Sequence, residues 1–117
     1  MTPEELRDRL IGEGIESVLR DERMNENERR GSIAGFSACR TLATPEDFQR
    51  ALQERELVER DLRRRKDLSA YWYHRFGTIQ IEYVFDLLKV GWGFPLISAR
   101  AGLRYARLVG VETGNPN

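Results

Sequence analysis

The sequence predicts an all-α fold of four to five helices around one long central helix, with aromatic side chains concentrated in its second half. Three observations carry that expectation. Thr2-Pro3-Glu4-Glu5 and Thr44-Pro45-Glu46-Asp47 each join a capping hydroxyl, a first-turn proline and two acids, the composite start signal of a helix. No glycine or proline interrupts residues 46–76. Apolar residues recur at three- and four-residue steps through most of the chain.

The first helix is expected over 3–24. Leu6, Leu10, Ile11, Ile15, Val18 and Leu19 form its apolar stripe, while Gly12 and Gly14 mark a kink or a close crossing. The polar run 25–31 reads as a connection. A shorter helix follows over 32–42, with Ser32 as cap. Gly31, Gly35 and Ala38 make a small face for close approach, and Ile33, Phe36, Cys39 and Leu42 supply core contacts. Ser32 beside Arg29 and Arg30 also has the look of a basophilic kinase or anion site, though a cap explains it more simply.

The central helix should begin at Pro45, run to about residue 76, and have the option of continuing to 90. Glu46–Arg50, Glu56–Arg60 and Glu59–Arg63 are acid-before-base pairs one turn apart. Residues 78–85 alternate like a strand, but His74, Thr78, Glu82 and Asp86 also form a polar helical stripe opposite Trp72, Phe76, Ile79, Tyr83 and Leu87, which favours helix. Gly77 is then a weak point or a break. Gly91-Trp92-Gly93 ends the segment, and a last helix should run from Pro95 to about Val109. The expected organisation is one helical domain over 1–111 and a flexible tail over 112–117.

The 117 residues carry 19 basic and 19 acidic side chains, but unevenly. Residues 1–28 balance to −5, 29–66 to +4 and 67–117 to +1, which predicts contact between segments or chains of opposite sign. Lys66 and Lys89 are the only lysines, so nearly all the positive charge is arginine, whose planar fork suits paired or interfacial positions. One cysteine, Cys39, excludes an internal disulfide framework and a multi-cysteine zinc site, and reads as a buried structural thiol. No apolar run reaches the ~20 residues of a membrane span. The opening residues lack the basic start and apolar stretch of a signal peptide, so a cytoplasmic location and no membrane partner are expected.

A helix over 45–76 would be ~46 Å long, more than a globule of this size covers. Eight of the eleven aromatic residues lie between Tyr71 and Phe94. The expected remedy is self-association, most simply a two-fold homodimer through Val58, Leu62, Trp72, Phe76, Ile79 and Tyr83.

Catalytic chemistry has little support. His74, Glu82 and Asp86 are weak metal candidates, but His74 and Glu82 stand ~12 Å apart along a helix. No phosphate loop, nucleophile elbow or zinc spacing occurs. No catalytic residue and no cofactor is expected. Charged surfaces are the better lead. Arg100, Arg104 and Arg107 share a face in a segment, 87–111, without acids, while Ala99, Gly102, Ala106 and Gly110 make the opposite small face. Arg63, Arg64 and Lys66 form a second basic group. These residues fit a protein partner, including the acidic first helix, or as an alternative a nucleic acid. The sequence therefore predicts a non-enzymatic helical binding protein that self-associates and works through protein–protein contacts as an adaptor, inhibitor or assembly subunit. The alternative is a small nucleic-acid-binding protein.

Overall fold

The computed structural model describes residues 1–94 and 98–110. It is all-helical, with no strand among the described residues. The elements are α1 (Pro3–Arg20), α2 (Glu26–Ala38), a single 3-10 turn (Cys39–Thr41), α3 (Pro45–Arg64), α4 (Leu68–Gly91) and α5 (Ala99–Val109). The expected all-α class of four to five helices is found, with five helices among the described residues, one of them long. Residues 78–85 are helical, inside α4. Pro95, the expected start of the last helix, and the expected tail over 112–117 lie outside the described residues.

Both threonine signals operate as read. The Thr2 hydroxyl accepts from the Glu5 amide at 3.1 Å, and Thr44 accepts from Asp47 at 3.1 Å. The Asp47 carboxylate accepts in turn from the Ala43 and Thr44 amides, which holds it below its ordinary value.

Three boundaries differ from expectation. Helix α1 stops at Arg20, because Asn25 starts the next helix inside the run taken as a connection. Asn25 accepts from the Glu28 amide at 2.8 Å while Glu28 accepts from the Asn25 amide at 3.0 Å, a complete capping box. Ser32 consequently caps nothing. It sits fully buried in mid-helix α2, accepts from Gln80 at 3.5 Å, and is closed to a kinase or an anion.

The third difference concerns the long helix. The stretch 45–76 is not continuous: the chain reverses at 65–67, and the longest helix is Leu68–Gly91. Lys66 takes a left-handed conformation, φ 61°, the one non-glycine residue to do so among those described. Its amide donates to Arg63 O and that of Asp67 to Leu62 O, both at 3.0 Å, the paired bonds of a Schellman ending. Asp67 then caps α4 through the Ala70 amide at 3.1 Å. The overhang argument for a partner therefore falls away, since α3 and α4 lie side by side as an antiparallel pair.

The core gathers around the second half of α4. Leu6, Leu10, Ile11 and Val18 of α1, Phe36 of α2, Cys39, Phe48 of α3 and Leu108 of α5 surround Ile81, Val84, Phe85, Leu87 and Leu88. Phe48 stacks on Phe85 with centroids 5.1 Å apart, and Trp92 closes against both edge-on. Leu19, expected in the α1 stripe, is exposed instead.

Gly31 and Gly35 of the small face on α2 do what their spacing implies, whereas Ala38, its third expected member, is exposed. A Cβ on Gly31 would sit 2.1 Å from Tyr73 O, and one on Gly35 would sit 2.2 Å from Gly77 O. Helices α2 and α4 thus meet backbone to backbone, and Gly77 is a crossing point inside a continuous helix rather than a break. Of the small face expected on α5, only Ala106 is buried among the described residues. A Cβ on Gly102 would meet nothing within 4 Å, and Gly110, φ 77°, is the left-handed C-cap.

Many arginines tie helix ends together. Arg29 donates to Val18 O, to Asp21 O at 3.0 Å and to Met24 O at 3.1 Å, satisfying carbonyls left open at the end of α1. Arg9 reaches Leu108 O at the end of α5, and Arg7 reaches Leu42 O at 3.0 Å.

Candidate interaction surface

Helix α4 is held differently along its length, and this creates the candidate site. In its first half, α2 covers one side through the glycine crossing. Helix α3 covers another through a polar network centred on Glu59. Its carboxylate accepts from Thr78 Oγ1 at 2.5 Å and bonds His74 Nδ1 at 2.9 Å, with Arg75 at 3.5 Å. Arg55 donates to His74 O at 3.0 Å and to Thr78 Oγ1 at 3.4 Å. Burial pulls the Arg55 guanidinium below its ordinary value, opposed by the charge of Glu59.

At 100° per residue, the side chains turned to α2 and α3 (Gly77, Thr78, Ile81) occupy one side of α4. Leu68, Trp72, Phe76 and Ile79 occupy the other, within ~80° of one another. Among the described residues this side stays largely open: Leu68 is 63% exposed, Trp72 48% and Ile79 39%, with Phe76 half-buried. Trp72 is locked between Tyr71 and Phe76, edge-on to both, at 5.1 and 6.3 Å. Together they form a contiguous apolar ridge with two aromatic rings in edge-on contact at its centre.

The residues expected to form one seam are therefore divided. Trp72, Phe76 and Ile79 remain together on the open face. Leu62 is buried within the chain, and Tyr83 packs edge-on to Phe36 at 6.4 Å and accepts from Arg104. Val58 faces a separate shallow groove of about 340 Å³, which it shares with Leu42, Arg55 and His74. Leu68 was missed because it opens α4, where the sequence was read as mid-helix.

The arginine groups also part company. Arg104 turns back on the chain, 3.8 Å from Glu13 of α1 and 3.3 Å from the Tyr83 hydroxyl, which is the expected contact between oppositely charged segments. Arg100 and Arg107 are exposed, and neither forms an ion pair among the described residues. In the other group, Arg64 pairs with Asp61 at 2.5 Å, and Arg63 donates to the Tyr71 hydroxyl at 2.7 Å while lying over its ring. Lys66 is exposed on the turn.

The weak metal candidates do not converge. His74 bonds Glu59, Glu82 lies 3.8 Å from Arg75, and Asp86 pairs with Lys89 at 3.3 Å. No group of three potential metal ligands occurs among the described residues. The expected Glu59–Arg63 pair is also replaced, because Glu59 turns inward to the network while Glu56–Arg60 forms at 2.7 Å. Cys39 is fully buried and donates to Gly35 O at 3.5 Å; burial pushes its thiol up to about 12, which removes it as a nucleophile. No described helix is long and apolar enough to cross a membrane. In comparisons with protein-family models, curated proteins and solved structures, nothing matches the chain.

Proposed function

We propose that this chain is a non-enzymatic helical binding protein of the cytoplasm that self-associates and acts through protein–protein contacts, as an adaptor, inhibitor or assembly subunit. One observation supports the reading: the apolar ridge Leu68-Trp72-Phe76-Ile79 is contiguous and open, whereas one turn later the same face of the helix carries the exposed carboxylates Glu82 and Asp86. Leaving that much apolar surface in water costs solubility, and a binding role is the usual return. The test is the native mass by light scattering across a concentration series. The expected result is a mass above 13.6 kDa that falls when Trp72→Ala removes the ridge's centre. A single 13.6 kDa species at every concentration, with no change in Trp72→Ala, overturns it.

The second reading is nucleic-acid binding through Arg100 and Arg107, with Arg63, Arg64 and Lys66 alongside. It is favoured by the exposure of Arg100 and Arg107 without an ion pair among the described residues. It predicts binding to random duplex that weakens steeply with salt, and a shallower slope in Arg100→Ala/Arg107→Ala.

A further inference from the structure

The open ridge has a direction, set by charge. At its N-terminal end stands the turn that joins α3 to α4, with Arg63, Arg64, Arg65 and Lys66 all exposed. At its C-terminal end stand Glu82 and Asp86, also exposed, each beside one base of the same helix, Arg75 at 3.8 Å and Lys89 at 3.3 Å. The four ridge residues at 68, 72, 76 and 79 centre close to position 74. A perpendicular two-fold axis there carries each residue to a place about twice 74 minus its own number. Trp72 then faces position 76, Leu68 faces the neighbourhood of Ile79, and Lys66 faces the neighbourhood of Glu82.

We propose that the occupant of this face is a second copy of the chain, its α4 running antiparallel about a two-fold axis beside residue 74, so that each Trp72 packs on the partner's Phe76 and each basic turn lies over the partner's Glu82 and Asp86. This rests on the self-association read above and adds the geometry of the contact. The apolar pattern alone does not choose a direction, because a parallel, in-register pair would also stack the ridge on itself. Charge chooses. A parallel pair sets the two basic turns against each other, a surplus that Asp61 and Asp67 halve without cancelling, and sets Glu82 and Asp86 against their counterparts at the other end. The antiparallel pair sets bases against carboxylates at both ends, and the helix dipoles also oppose. It is also isologous, so one surface patch serves both partners and the assembly closes at two. The ridge spans twelve residues, or about 18 Å of helix, which places the contact at the small end of specific interfaces.

Cysteine pairs give the decisive experiment. Cys39 is buried and serves as a silent background. Leu68→Cys and Ile79→Cys are both solvent-facing changes. Within one chain they are ~16 Å apart along α4, too far for an internal disulfide. The double variant should form a disulfide-linked dimer under mild oxidation, while each single variant stays monomeric on a non-reducing gel. Glu82→Lys/Asp86→Lys should weaken the dimer by about tenfold or more, and adding Arg63→Glu/Lys66→Glu in the same chain should recover most of that loss. Dimers that cross-link through either single cysteine, or that are indifferent to the charge reversals, overturn the antiparallel arrangement while leaving self-association standing. A particle that stays monomeric at all concentrations overturns both.

Discussion

The two halves of α4 make an instructive pair. The second half, from Ile81 to Leu88, is the centre of the core: α1, α2, α3 and α5 all send side chains to it, Val84, Phe85, Leu87 and Leu88 are buried, and the side left to water carries Glu82 and Asp86. The first half is no less aromatic, yet α2 meets it through glycines and α3 through a salt-bridged network, and its third side faces water. One helix can therefore serve as core and as surface within a few turns. What differs is the number of neighbours and the side left to water, which is apolar in the first half and carboxylate in the second.

That contrast can be broken at four points. The largest effect belongs to the covered half: Phe85→Ala, read by chemical denaturation, should cost about 3–5 kcal/mol, whereas Trp72→Ala should cost under about 1 kcal/mol of protomer stability. Equal losses would mean that the ridge is not open. Next comes the seam between the halves. Gly35→Ala should cost about 2–3 kcal/mol, because the added methyl meets the backbone of Gly77 rather than a movable side chain. A shift in thermal midpoint measures it, and a neutral result would show that the helices can separate without penalty. Glu59→Ala comes third, at roughly 2 kcal/mol, because His74, Thr78 and Arg75 lose their common acceptor. Hydrogen exchange should report the opening in the first half of α4 and spare the second. The smallest is a gain: Lys66→Gly should stabilise the protomer by up to about 1 kcal/mol by relieving a left-handed side-chain-bearing residue. The same change should weaken the dimer, so stability and assembly would move in opposite directions.

The two ends of α4 also show what the sequence discloses. Both use the same paired bonds: Asp67 to Leu62 and Lys66 to Arg63 at the turn before it, Phe94 to Lys89 and Gly93 to Val90 at its close. The second was legible, because Gly93 is the residue that favours φ 80°. The first was not, because a lysine occupies the left-handed position, and the pattern of charges and apolar steps runs through it without interruption. The missed turn produced the over-long helix and its overhang. Helix class, the Thr2 and Thr44 starts and the glycine crossing on α2 were all readable, since each rests on local chemistry or spacing. Glu59 was not, because its position on α3 matches an ordinary surface pair, and only the neighbouring helix reveals that it turns inward. The ridge was half legible. Spacing collected Trp72, Phe76 and Ile79, but deciding that Leu62 and Tyr83 belong inside the subunit needed the three-dimensional neighbours.

The glycine contact between α2 and α4 has a mechanical consequence. Where peptide planes touch, there is no cushion of rotamers to absorb a push, so the two rods behave as a single stiff plank. Side chains elsewhere on α4 can repack around a change, but at Gly31 and Gly35 only the bare backbone keeps the spacing.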